Sequence, residues 1–177
     1  MSFNDIKAKL IQLEKDLEQT QSKAMELIET KQTVFKNNPI FCYFDHSLIL
    51  EHEPNSNLIM GSFHVKNLSS EQKHQPLILI KIDTKDEFNF TGKFLTENQR
   101  DLQGFQWRRI HLKNLDQRNH FCFKPTNTNH LYSDEMLSFQ NFQIKIPIDA
   151  TILVEGFVYF NESNDGVPAS NSIRIGL

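Results

Sequence analysis

The chain is 177 residues long, 38% hydrophobic and 23% charged, with 19 basic against 22 acidic side chains. That length and apolar fraction suit one domain of ordinary size with an appended segment, and they exclude wholesale disorder. A net charge of -3 gives no general attraction for nucleic acid or anionic lipid. No apolar run approaches the ~20 residues of a membrane helix, so no membrane insertion is expected.

Residues 1–38 read as an N-terminal amphipathic helix. The start, Met1 to Asp5, enters a charged periodic stretch directly and has no signal-peptide core, which predicts a cytoplasmic protein or one assembled into a larger particle. Written as heptads, Phe3, Leu10, Leu17 and Ala24 fall at a, and Ile6, Leu13, Leu27 and Val34 fall at d. Thr20 and Lys31 take the remaining seam positions, and no Gly or Pro interrupts the run. This is the narrow apolar stripe of a coiled coil. Asn37-Asn38-Pro39 ends it, because proline disfavours helical geometry in the residue before it. About 33 residues at ~1.5 Å each make a rod of roughly 50 Å. Lys9 at g and Glu14 at e would attract across two parallel helices. Ile11, Met25 and Ile28 lie off the seam and would suit a helix folded back on its own domain. Self-association is the preferred reading, with leucine at a leaning toward a trimer over a dimer.

From Pro39 onward the apolar period changes from 3.6 to 2, so residues 39–177 read as a β domain. The predicted strands are Ile40–Phe44, Ser47–His52, Leu58–Lys66, Leu77–Ile82, Phe105–Leu112, His120–Phe123, Phe139–Ile146, Thr151–Phe160 and Ser172–Gly176. Turn signals part them at Glu53-Pro54-Asn55, Asn67-Leu68-Ser69-Ser70, Pro125 to Asn129 and Asn164-Asp165-Gly166. Leu77 to Ile82 is apolar on both faces except at Lys81, which marks a central strand. Residues 83–104 are polar but hold Phe88, Phe90 and Phe94, as a long ordered loop or an irregular strand would. Many short strands with no intervening helix argue for an antiparallel β-sandwich or jelly-roll-like domain. The fold class is therefore mainly β, preceded by a coiled-coil-type helix. Fifteen phenylalanines against three tyrosines and one tryptophan build the core on Phe, and six glycines leave no glycine-rich phosphate loop.

Chemistry-bearing clusters are sparse. His46, His52 and His64 sit near Glu51 and Glu53, yet the spacing makes no HExxH or HxH, and neighbours on a strand face opposite ways. No metal and no cofactor is expected. Cys42 and Cys122 lie within Phe-rich strands as small hydrophobes, without a CxxC pair. There is no GxSxG turn, and the acids Asp83, Asp86, Glu87, Asp134 and Glu135 belong to loops, so no catalytic residue is assigned and no enzyme is expected. Trp107-Arg108-Arg109 is the one basic-aromatic cluster. Trp107 and Arg109 share a strand face, and with Tyr132 they are the candidate ligand contacts, since arginine beside an aromatic stacks on sugars or on a partner's carboxylates.

By architecture alone, a helical stem with a β-sandwich head resembles small fibre, appendage or receptor-binding proteins of phage tails and bacterial surfaces. That resemblance implies a non-enzymatic assembly or interaction protein, multiplied by its helix and presenting its head to a protein or glycan. A carbohydrate-binding, lectin-like module is the alternative, and a small hydrolase with an unrecognised site is the third.

Overall fold

The structure is a computed structural model that describes residues 39–53, 56–100, 104, 106–113 and 115–176, together with Gln19, Thr20, Ser22 and Lys23; the side chains of 51–53 and 164 are not described. Those four N-terminal residues have helical backbone and are exposed. The helix predicted over residues 1–38, with its seam of Phe3, Ile6, Leu10, Leu13, Leu17, Ala24, Leu27 and Val34, otherwise lies outside the described residues. No complete helix occurs among the described residues, and none there is long and apolar enough to cross a membrane.

Ile40–Leu177 form one compact unit, mainly β and antiparallel. Its strands are β1 (Ile40–Glu53), β2 (Ser56–Asn67), β3 (Lys73–His74), β4 (Leu77–Thr84), β5 (Asn89–Thr91) and β6 (Trp107–Ile110). They continue as β7 (His120–Pro125), β8 (His130–Leu131), β9 (Met136–Pro147), β10 (Ile152–Phe160), β11 (Ser163–Pro168) and β12 (Ile173–Ile175). One sheet has the order β1-β2-β9-β5; the other runs β11-β10-β4-β7-β6, with β12 beside β10. A short ribbon, β3 with β8, pairs with neither sheet, though its Leu131 belongs to the core.

The two sheets share one core, and their alternation explains why. Along β10, Ile152, Val154, Gly156, Val158 and Phe160 are buried while the residues between them are half-exposed. β4 lies between β10 and β7, as its apolar run requires. Across the sheets, Phe90 stacks on Phe121 and Phe139 on Phe123, each pair at 4.3 Å between ring centres. Phe139 and Phe142 are three residues apart, a spacing that should put them on opposite faces, yet both are fully buried. A bulge reconciles this: Gly61 pairs with Phe142 and Phe63 with Phe139, so β9 carries one extra residue there. Asn141, at φ 57, absorbs the kink, a conformation asparagine tolerates better than most residues.

Three expectations need revision. Ile40–Phe44 and Ser47–His52 are one strand, β1, because Asp45 and His46 interrupt only the apolar pattern of an edge strand and not its pairing to Ser62 and Gly61. Phe105–Leu112 shortens to β6, with Leu95 pairing beside Arg108 as an isolated bridge. The Asn164-Asp165-Gly166 turn signal sits inside β11, whose register to β10 is irregular.

Glycine is needed where aromatic rings press on the backbone. A Cβ built on Gly156 would lie 2.4 Å from Phe63 and 2.7 Å from Phe44, both carried by the opposite sheet. Gly156→Ala should therefore destabilise the fold by about 1–3 kcal/mol through overpacking. The midpoint of denaturant unfolding measures it, and an unchanged midpoint would mean the rings move aside freely.

Candidate functional site

The three candidate ligand contacts do not converge. Trp107 is only 3% exposed, and its indole N–H donates to the carbonyl of Ser138 at 3.0 Å. Its ring packs edge-on against Phe139, so it serves the core and offers no face to a sugar. Arg109 lies across Phe121 at 4.5 Å and donates to the carbonyl of Gln117 at 3.0 Å. Burial lowers its pKa, partly offset by Cys122, and among the described residues its Nε has no hydrogen-bond partner. It lines a cleft of about 570 Å³ with Lys85, Asp86, Phe88, Phe90 and Arg118. Tyr132 is 54% exposed and neighbours His130 on the separate ribbon.

Among the described residues no group of three or more His, Cys, Asp or Glu is placed to hold a metal. His64 is buried, with Nδ1 2.8 Å from Ser138 Oγ and Nε2 2.9 Å from Asp45 Oδ2. A serine, a histidine and an aspartate in series are the parts of a nucleophilic site. Here, however, the Tyr43 ring stacks on the imidazole at 4.9 Å. Cross-strand pairing puts Tyr43, His64 and Ser138 in one row over β1, β2 and β9, and their bonds hold those strands in register. The histidines that do meet are His74 and His130, opposite each other on β3 and β8. They are far apart in sequence and follow no ligand spacing, so only the fold brings them together.

The other distinctive surface is the outer edge of β1, the end strand of its sheet. Its first half is closed: Ser170 N–H donates to the Cys42 carbonyl at 2.8 Å, and Asn171 bonds both the N–H and the carbonyl of Phe44 at 2.7 and 2.9 Å. Residues Asp45 to Leu50 are all exposed, including Leu48, Ile49 and Leu50 at 39, 40 and 66%. Since Phe44 directs its backbone groups outward, period 2 directs those of His46 and Leu48 outward too. Nothing among the described residues bonds to them.

No family model matches the sequence, and no curated protein is similar to it at a significant level. Among solved structures, two of a GH20 exo β-N-acetylglucosaminidase from Vibrio harveyi, an inactive variant and a complex with N-acetylglucosamine, are similar over 78% of this chain and 18% of theirs. The TM-score is 0.31 and the identity 8% in each, too slight a likeness to carry any argument.

Both cysteines are buried free thiols. Burial pushes Cys42 up to about 12 and Cys122 up to about 11, the latter restrained by the Arg109 charge. Near neutral pH both stay protonated, so iodoacetamide should label neither in the native chain and both after denaturation. The unfolded chain releases these protons near the ordinary thiol value of 9.0 while the folded chain keeps them. Stability should accordingly fall as pH rises above that value, which thermal melts across alkaline pH would show.

Proposed function

We propose that the chain is a non-enzymatic assembly or interaction protein, of the fibre or appendage kind, in which residues 3–34 associate as a coiled coil and the β-sandwich head meets the partner. The observation that carries the interaction half is the β1 edge. Exposed sheet edges are normally blunted because they pair readily with another chain. Here the Cys42–Phe44 part is blunted by Ser170 and Asn171, while among the described residues nothing bonds to the adjoining part, which is flanked by aliphatic side chains. An extended partner segment would add as a strand beside His46 and Leu48, with Leu48, Ile49 and Leu50 giving apolar contact. The multiplicity half rests on the heptad seam, since joining several weak edges raises avidity with no new contact.

The glycan alternative loses Trp107 and retains the Arg109 cleft, where Phe88 and Phe90 stand beside a guanidinium. Binding of the intact protein to a glycan array would favour it over a strand-docking head.

Two measurements test the proposal. Light scattering of the intact chain should give a multiple of the chain mass, and Leu13→Asp should give the monomer with an unchanged β-type circular dichroism spectrum, because a seam charge costs several kcal/mol. A monomeric wild-type chain at roughly tens of micromolar, where mass action favours assembly, would overturn the stem. Hydrogen exchange should be slow at the Phe44 amide and fast at His46 and Leu48. Protection of the latter two in the oligomer would mean that the edge is already closed by another copy, leaving nothing to present.

A further inference from the structure

The β3–β8 ribbon turns two imidazoles toward one point. His74 and His130 are direct cross-strand partners, which puts their side chains on one face, and the rings meet edge-on with centres 5.0 Å apart. Buried Asn67 fixes the ribbon from below. Its Nδ2 donates to the carbonyls of Glu71, just before β3, and Leu131, in β8, at 2.8 and 3.0 Å. Its Oδ1 accepts from the N–H and hydroxyl of Ser69 at 3.0 and 2.7 Å.

The hydrogen bonds set the protons on both rings. Glu162 Oε1 accepts from the His74 N–H at 2.9 Å and is also bonded to Nδ1 of that ring. An ionised carboxylate only accepts, so Nδ1 of His74 carries a proton. Burial works against the Glu162 charge, but the bonds from His74 hold its carboxyl below the usual range. The free Nε2 of His74 lies 3.1 Å from Gln72 Nε2, and that same amide nitrogen lies 2.7 Å from Nδ1 of His130. An amide nitrogen only donates, so both ring nitrogens accept there. Two imidazole lone pairs therefore converge on one position, filled by the weakly positive amide end of the Gln72 side chain.

From this convergence we propose that His74 and His130 form a two-imidazole site for a divalent transition-metal ion, which displaces the Gln72 amide and takes water or an outside donor at its remaining positions. Imidazole pairs suit Cu²⁺, Ni²⁺ and Zn²⁺, with Cu²⁺ bound most tightly, whereas Mg²⁺ and Ca²⁺ require oxygen. Glu162 occupies the place of the carboxylate that commonly backs a metal-bound histidine, orienting His74 and raising its basicity. The other charged groups around the ribbon are engaged elsewhere: Lys73 pairs with Glu71 at 3.3 Å, and Glu135 accepts from the Tyr132 N–H at 2.8 Å. Two protein nitrogens leave the ion open, which suits a bridge to a partner's own donor more than a closed structural site.

Titration of the intact chain with Cu²⁺ and Zn²⁺ by calorimetry, in a buffer that does not coordinate metals, tests the site. The expected result is one ion per chain, Cu²⁺ before Zn²⁺, with affinity falling as the solution is acidified, since protons compete with the metal for the imidazole nitrogens. His74→Ala with His130→Asn should reduce affinity at least tenfold, and Glu162→Gln by about tenfold or more. Gln72→Ala should keep or tighten binding, because it removes the competing donor. His74 is 47% exposed at its side chain, so these variants should melt as the wild type does without metal. Amide signals broadened by Cu²⁺ should cluster at residues 72–74 and 130–132, a readout that needs no variant. Absence of binding, binding unchanged in the double variant, or broadening centred on other histidines would overturn the proposal.

Discussion

The β unit depends on phenylalanine rings seated against glycine backbone. Phe63 and Phe44 of one sheet fill the space where a Cβ at Gly156 of the other would stand, and Phe142 does the same to Gly61 within its own sheet. A glycine beneath a ring lets the two sheets close without a second side chain in the gap, so the aromatic layer meets backbone directly. Phe90, Phe121, Phe123 and Phe139 then stack outward from that contact. Aromatic pairs add about 0.5–1.5 kcal/mol beyond their buried area, and a layer of them orients the sheets as well as holding them. The bulge in β9 follows from the same demand: without its extra residue, Phe139 and Phe142 could not both turn inward.

The sandwich was legible because its plainest strand, β10, keeps period 2 along its whole length, while the bulge in β9 and the two-faced burial of β4 depart from it. In β10 every second residue from Ile152 to Phe160 is buried, as alternation requires. The ribbon and β11 were not legible, for a physical reason. Strands of two residues such as Lys73–His74 are too short to show a period, and their pairing is imposed by Asn67 and not by an apolar pattern. Asn67-Leu68-Ser69-Ser70 reads as a turn, and it is one. Nothing local says that the asparagine is fully buried and bonded to the distant segment 131–135.

The same distinction explains the site residues. Trp107 and Arg109 share a strand face, as alternation dictates, but alternation does not say which face is the core. Trp107 takes the interior because its indole finds the Ser138 carbonyl, and Arg109 lies nearer the rim, over Phe121. His74 and His130 carry no signal in the chain because their meeting is a property of register between two segments that neither predicts. A histidine pair of this kind becomes visible only when cross-strand partners are known.

One polar line links the core to the outer edge of β1. Asp45 bonds His64, His64 bonds Ser138, and the Ser138 carbonyl takes the Trp107 indole from the other sheet. The line crosses β1, β2 and β9 in sequence and ends on β6, so one set of directed bonds ties four strands whose other contacts are largely undirected dispersion. It begins at Asp45, the residue after Phe44, where Asn171 stops covering the edge. Closed and open halves of β1 thus meet at a residue anchored to the opposite sheet. A strand adding beside His46 and Leu48 would therefore meet backbone already held in position, and would order little besides itself on docking.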